Sequence, residues 1–580
     1  IKPPMKTKLC IGIIFLSLFF SVNKKTNAQA PTWLWAKSMT GIDYDYGRSI
    51  AVDALGNVYT TGNFYDTVDF DPGGGLYKLI SDFHHWDIFI SKLDASGNFV
   101  WAKRMGGANN DQGYSIALDD SGNVYTTGFF QGTADFDPGF GIFNLSGGGM
   151  FISKLDSAGN FIWAKTIGIN VQGFSIALDA SGNVYTTGRF SGTADFDPDS
   201  SGTFNLTSGG NNDIFISKLN NAGNFVWAKT IGGPNIQLGR FITIDPSGNV
   251  YTTGDFRGTV DFDPDSSANF YLTSNGYDDI FISKLDSTGN FLWAKTMGGI
   301  NEDAGGSIAF DASGNVYTTG SFRATVDFDP DSSGTFFLST SSPGEFDIFI
   351  SKLDSSGNFI WVKQMGGPDD DGGISIVLDA AANIYTTGAY RATADFDPGA
   401  GTYFLNSFGI YTSYISKLDP SGNFVWAVSM GGTNTDGSVS IALDASANVH
   451  VAGYFYSHSI AFGNVVLINA ISSGIFYTSD IFIAKLDNVT GIENVKHPDG
   501  ISIYPNPFTS EISITFTKQN INQATFTIKN ILGQTVLTEQ ENNPSSPYTK
   551  TIDLSFLSKG VYLLDVNACG ERMVRKILKE

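Results

Sequence analysis

Six times along the chain the tetrapeptide Asp-Phe-Asp-Pro sets two carboxylates two residues apart, at Asp69/Asp71, Asp135/Asp137, Asp195/Asp197, Asp261/Asp263, Asp327/Asp329 and Asp395/Asp397. In an extended segment residues i and i+2 share a face, so both acids point one way and the intervening Phe the other. Proline then ends the strand. Three copies continue to a third acid, giving Asp195-Asp197-Asp199, Asp261-Asp263-Asp265 and Asp327-Asp329-Asp331, a spacing that an oxygen-seeking Ca²⁺ ion can use. The glycine and the bidentate acid of an EF-hand loop are missing from their expected places. Against calcium stands a plainer reading, in which the Phe packs inward and the carboxylates are solvated or cap the turn that follows.

Paired carboxylates also serve glycoside cleavage when their surroundings separate their pKa values, which makes a carbohydrate-active enzyme the alternative to a binding protein. Six near-identical pairs argue against it, because catalysis singles out one constellation. No Gly-x-Ser-x-Gly elbow, Walker loop or HExxH word is present. No catalytic or cofactor-binding residue is therefore assigned, and calcium is the one cofactor considered.

The elements that must carry these acids are legible from repetition. Gly-Asn-Val-Tyr-Thr-Thr-Gly ends at Gly62, Gly128, Gly188, Gly254 and Gly320, with weaker copies ending at Gly388 and Gly453. Asp-Ile-Phe-Ile-Ser-Lys-Leu-Asp, as at Asp87 to Asp94, and Trp-Ala-Lys, as at Trp101, recur with it about every 65 residues. Short β-rich runs separated by Gly/Asn/Asp/Ser turns in a unit of this length predict a propeller blade, whose sheet needs neighbours on both faces. In one copy Ser115 to Asp119, Val124 to Phe130, Met150 to Leu155 and Phe161 to Ile167 read as strands A to D. The acid pairs then fall in the B-to-C link. At the same end the D-to-A links add Asp45, Asp111, Asp303, Asp369 and Asp436, so a strongly acidic face is expected. Tyr65, Phe130 and Tyr390 near the B-to-C links are candidates for stacking on sugar rings. Trp101 and its counterparts are expected to pack between blades, and Lys92 and its counterparts to pair with nearby Asp.

The run of repeats opens with a lone strand D, Trp33 to Met39, and closes at Asp480 to Leu486 without one. The expected fold is therefore all-β: residues 31–487 form a seven-bladed propeller closed by an N-terminal strand, leaving no sheet edge exposed. Residues 488–500 read as a linker and 501–580 as a small immunoglobulin-like β-sandwich of short strands. Residues 1–28 read as a secretory signal, with Lys6 and Lys8 before the apolar run Leu9 to Val22 and small residues at Ala28 and Ala30. The residues before Met5 fit a start called too early. No later segment has the length and apolarity of a membrane-spanning helix.

A net charge of -22 opposes nucleic acid and anionic lipid surfaces as partners. Of the two cysteines, Cys10 lies in the expected signal, so no internal disulfide is expected in the mature protein.

The repeated words Gly-Asn-Val-Tyr-x-Thr-Gly, Asp-x-Phe-x-x-Lys-Leu-Asp and Gly-Asn-x-x-Trp resemble the bacterial SBBP-type β-propeller repeat, over about 450 residues. That resemblance implies seven blades and an extracellular place, and carries no catalytic residues. Tyr504-Pro505-Asn506-Pro507, Ile531-Leu-Gly-Gln534, Gly560-Val-Tyr562-Leu and Val574-Arg575-Lys576-Ile577 resemble the C-terminal sorting domain (type A) of the type IX secretion system of Bacteroidetes. It implies recognition by that machinery, export across the outer membrane, then removal of the domain and release or attachment at the cell surface. The basic residues Arg572, Arg575, Lys576 and Lys579 suit a tail read by a receptor. The reading that follows is a secreted or cell-surface binding or adhesion scaffold for an extracellular glycan or protein.

Overall fold

The computed structural model describes residues 31–488 and 501–579, apart from positions 83, 200, 266–267, 332–333, 471–477, 505–507, 517–522, 531–533, 543–547 and 569–570. Among the described residues every regular element is a β-strand, and no helix is long and apolar enough to cross a membrane. The chain divides into two compact units, Ala30–Val489 and one that holds Thr490–Glu580. The expected signal, residues 1–28, and the connector beyond Asn488 lie outside the described residues.

Within Ala30–Val489 one antiparallel four-strand set recurs. In the copy read above its strands are Gln112–Leu118, Val124–Phe130, Gly149–Leu155 and Phe161–Ile167, paired in the order A-B-C-D. Strand A starts three residues earlier than expected. Its pairing continues past an irregularity between Gly113 and Ser115, a β-bulge that turn signals alone do not reveal. Tight A-to-B and C-to-D corners form because Gly122 and Gly159 adopt positive φ. At the first corner Asp119 Oδ1 accepts the N–H groups of Ser121 and Asn123 at 3.0 and 2.9 Å.

The A strands are Tyr46–Val52, Gln112–Leu118, Val171–Leu178, Gln237–Ile244, Ala304–Phe310, Gly372–Leu378 and Asp436–Leu443. Each touches the next, and the last touches the first. A serine stitch runs around this circuit: the N–H of Ile116 donates to Ser49 Oγ, Ile176 to Ser115, Ile242 to Ser175, Ile376 to Ser307, Ile441 to Ser375 and Ile50 to Ser440, at 3.2 to 3.4 Å. The Thr-Thr-Gly word is explained by close approach. A Cβ on Gly128 would lie 1.9 Å from the carbonyl oxygen of Gln112 on the paired A strand.

Hydrophobic cores form between neighbouring sets. One joins Tyr59, Ile88 and Ile90 to Ile116, Val124, Phe130 and Phe151 of the next. This is why the C strands read apolar at consecutive positions: both their faces are covered. The last set consists of Asp436–Leu443, Val449–Phe455 and Asp480–Leu486, and Trp33–Gly41 supplies its outer strand, with Trp35 opposite Lys485 and Met39 opposite Ile481.

In the second unit Ile501–Tyr504, Glu511–Phe516 and Tyr548–Asp553 form one antiparallel sheet. Thr535–Asn542, Gln523–Asn530, Gly560–Ala568 and Glu571–Lys579 form another. Ile512, Ile514 and Ile552 of the first share a core with Phe526, Ile528, Leu564 and Ile577 of the second. The basic C-terminal segment expected as a tail is a strand here, paired along Gly560–Ala568. Lys579 Nζ is turned inward, donating to the carbonyls of Leu554 and Ser555 at 2.6 and 3.0 Å. Gly560 and Tyr562 open the penultimate strand, and Arg575 and Lys576 lie on the last one. Tyr504 ends the first, while Pro505, Asn506 and Pro507 lie outside the described residues.

Candidate functional site

The acid-bearing B-to-C links are small hairpins docked on the preceding set. Thr133–Asp135 pairs with Asn144–Ser146 on one side, and on the other Asp135 and Ala134 pair with Gly106 and Gly107 of the preceding strand D. Asp69 opposite Thr40 and Asp327 opposite Gly298 repeat the arrangement. The Phe of each motif holds the hairpin in place. Phe136 is fully buried, 5.4 Å from the ring of Phe130 and 4.9 Å from that of Phe151.

The carboxylates work as turn acceptors. Asp195 Oδ1 accepts the N–H groups of Asp197 and Phe204 at 3.1 and 2.7 Å, and Asp197 Oδ1 accepts that of Asp199 at 3.0 Å. Asp261 serves Asp263 and Phe270, and Asp263 serves Asp265. Asp327 serves Asp329 and Phe336, and Asp329 serves Asp331. The third acids reach back to the preceding strand D, where Lys165, Lys229 and Lys295 meet Asp199, Asp265 and Asp331 at 2.8, 2.8 and 2.9 Å. These contacts fit the turn reading of the motif. Among the described residues no group of three or more His, Cys, Asp or Glu side chains is placed to share a metal ion. Where glycine replaces the third acid, at Gly139, a polar cleft of about 220 Å³ opens beside Lys103, Arg104, Asp135 and Asp137.

Two sequence expectations about this end are corrected. Phe130 and Tyr390 are fully buried and Tyr65 is half-buried against His84 and Trp86, so the first two offer no surface to a sugar. Packing between sheets claims them first. The acids of the D-to-A links are likewise buried: Asp45, Asp111, Asp303 and Asp436 are at most 1% exposed, and Asp371, not Asp369, occupies that register. They line the seams between sets instead of a charged face. Among the Lys markers, Lys154, Lys218, Lys352 and Lys485 lie within 4.0 Å of an Asp, whereas Lys92 donates to the Ser157 carbonyl; Lys154 also sits 4.8 Å over the Tyr125 ring. Burial pulls the Lys154 ammonium below its ordinary pKa, while Asp119 holds it up.

At three of the six hairpins a solvent-facing aromatic sits directly across from the first Asp. Tyr271 stands opposite Asp261, Phe337 opposite Asp327 and Phe404 opposite Asp395. They are 62%, 61% and 60% exposed. Each follows a second aromatic, Phe270, Phe336 or Tyr403, whose ring rests on Phe291, Phe359 or Phe424 at 5.0, 5.2 and 4.7 Å. Sequence reasoning passed over these pairs. Their signal was there, an aromatic doublet before Leu in Phe270-Tyr271-Leu272, Phe336-Phe337-Leu338 and Tyr403-Phe404-Leu405.

Residues 100–128 and 226–255 match the family model of the β-propeller repeat, and residues 502–580 match that of the secretion system C-terminal sorting domain. The chain carries SBBP-type propeller repeats and a type IX sorting domain. The match to a sorting domain supports export of the chain. An uncharacterized WD repeat-containing protein, L264 of Acanthamoeba polyphaga mimivirus, is 26% identical over 437 residues, 63% of this chain and 32% of that protein. Regulatory protein FlaEY of Caulobacter vibrioides is 24% identical over 201 residues, 35% of this chain and 20% of that protein. The chain therefore spans a third or less of these curated relatives. The solved WD40 domain of Neurospora crassa Pan2 is 9% identical with a TM-score of 0.34, covering 77% of this chain and 97% of that one.

Proposed function

We propose that this chain is a non-enzymatic binding scaffold, exported through type IX secretion, whose ligand is an extracellular glycan held at the outer hairpins. In this reading the strand sets form a seven-bladed propeller, closed by Trp33–Gly41 as the last blade's outer strand, and the sorting domain is an immunoglobulin-like sandwich. The circuit of A-strand contacts and serine stitches supports the closed ring. The observation that carries the binding role is the exposed row Tyr271, Phe337 and Phe404 on three successive sets. A flat apolar ring stacks on the C–H face of a sugar, and Asp327 and Asp395, across two of these hairpins, keep acceptor capacity for hydroxyl groups beyond the two N–H bonds each receives. Repetition at a fixed spacing suits a polymer, since several weak contacts act together when geometry lets them engage at once.

Glycan-array binding by the full chain tests this. The wild type should bind, a Tyr271→Ala, Phe337→Ala, Phe404→Ala variant should lose binding at unchanged melting temperature, and a panel of polysaccharides should show no turnover. Cleavage of any bound polysaccharide would move the assignment to a carbohydrate-active enzyme. A protein ligand is indicated instead if the array is blank while the same three residues govern adhesion to a protein-coated surface.

A further inference from the structure

The seams between sets hold a second family of acids. Each seam brings the residue at the start of one strand C against the residue just before or opening the next strand A. Four seams are acid on acid: Asp480/Asp45, Asp87/Asp111, Asp279/Asp303 and Asp347/Asp371. The other three are Asp213/Gln237, Thr412/Asp436 and Gly149/Val171. All eight acids of the first group are buried, and a glycine at the end of strand D leaves room for them. A Cβ on Gly106 would lie 2.3 Å from Asp87 Oδ1 and 3.1 Å from Asp111 Oδ2, and one on Gly366 would lie 2.6 Å from Asp347 Oδ1 and 3.0 Å from Asp371 Oδ2.

The hydrogen bonds follow one rule at all four. In Asp279/Asp303, Asn275 N–H donates to Asp279 Oδ2, while Arg323 and Gly299 donate to the two oxygens of Asp303. In Asp347/Asp371, Gln364 Nε2 donates to Asp347 Oδ2, and Arg391 and Gly367 donate to Asp371. In Asp87/Asp111, Arg104 and Asp82 N–H serve Asp87 Oδ2, and Gln131 and Gly107 serve Asp111. In Asp480/Asp45 the roles exchange: Gly41 and Ala470 serve Asp480, and Tyr65 serves Asp45 Oδ1. Three of every four oxygens accept a donor and the fourth has none. Those four, Asp279 Oδ1, Asp347 Oδ1, Asp87 Oδ1 and Asp45 Oδ2, are the buried carboxylate oxygens without a hydrogen-bond partner among the described residues.

The mixed seams supply the contrast. With its amide turned to satisfy both atoms, Gln237 Nε2 donates to Asp213 Oδ1 at 3.1 Å, and in the Thr412/Asp436 seam a threonine stands where the strand C acid would be. At Asp213 a neutral donor fills the place that is vacant in the acid pairs.

We infer that each of the four acid-on-acid seams binds one proton, carried on the vacant oxygen and directed at the partner carboxylate. The proton comes from solvent and leaves the pair with a single negative charge. One vacancy calls for one proton. A hard cation would need six or more oxygen ligands, and the remaining oxygens are already turned to N–H groups. Like charges at a buried site cannot both ionise without large cost. Burial, the leading cause, pushes Asp279 and Asp303 up to about 7 and Asp371 to about 8, with Asp303 and Asp278 facing Asp279, and Asp347 and Asp369 facing Asp371. Asp43, Asp66 and Asp480 face Asp45, and Arg104 and Asp82 face Asp87. The folded ring thus holds protons that an unfolded chain releases near pH 4, so its stability falls as pH rises toward 8.

Melting the full chain across pH tests the assignment. The wild-type Tm should fall by about 5 °C or more between pH 5.5 and 8.5. A variant with Asp87→Asn, Asp279→Asn and Asp347→Asn, whose amides supply the missing donor as Gln237 does, should lose most of that slope and melt higher at pH 8.5. An unchanged slope would overturn the inference. If the variant does not fold, infrared difference spectra of the wild type decide: a carboxylic-acid C=O band present at pH 5.5 and gone at pH 9 supports it, and its absence at pH 5.5 overturns it. Recovery of the pH 8.5 Tm by calcium in the wild type but not the variant would assign the pairs to a metal instead.

Discussion

The outer hairpins and the inner seams are both rich in aspartate, yet they put it to opposite uses. At Asp195/Asp197 the two acids are neighbours in sequence, each accepts main-chain N–H groups, and the third acid meets Lys165. At Asp279/Asp303 the acids are 24 residues apart, meet only when two sheets pack, and leave an oxygen without a donor. Closeness along the chain therefore says little about charge conflict. A turn disperses its carboxylates onto N–H donors, whereas a seam excludes the water that would otherwise solvate them.

Closure at the Asp480/Asp45 seam gives the sharpest way to break this contrast. Deleting residues 31–40 while keeping export removes the strand that pairs with Asp480–Leu486 and exposes the core around buried Met39. The expected loss is on the order of 5 kcal/mol or more. An unchanged Tm would mean that the seam does not depend on the borrowed strand. Next, Phe136→Ala should cost about 3 to 5 kcal/mol by unseating a hairpin from its core. A denaturant midpoint close to wild type would show the hairpin to be an ornament.

Smaller effects compare the acids themselves. Asp195→Ala should cost about 1 to 3 kcal/mol, since two N–H groups lose their acceptor; a denaturant midpoint close to wild type would deny the turn its role. Ser115→Ala, which removes one inter-sheet stitch, should cost about 1 kcal/mol in the same melts. Smallest of all, exchanging calcium for a chelator at neutral pH should leave Tm unmoved. An ion bound at the hairpins at a hundredfold its Kd would add about 2.7 kcal/mol.

Much of the fold was legible because repetition makes its own case. Strands Val124–Phe130 and Phe161–Ile167 lie where turn signals and apolar runs put them, and Trp33–Gly41 was marked by a Trp-Ala-Lys without a preceding strand. The residues wrongly placed at the surface share one cause. Phe130, Tyr390 and Asp111 look like surface residues in a local window, but a residue that ends a strand at the border of two sheets is covered by the neighbouring set. The last strand, Glu571–Lys579, was hidden by its charge, because alternation in a basic segment resembles a solvated tail until it pairs with Gly560–Ala568.

By itself the sequence determined the recurring unit, the short glycine corners and the buried Phe of each acidic hairpin. These depend on local chemistry: φ-permissive glycine, two-residue alternation and proline as a strand stop. Only the tertiary structure decided which aromatics meet solvent and which acids meet each other. Both are settled by contacts between strands from different repeats, and such contacts leave no mark in a local stretch of residues.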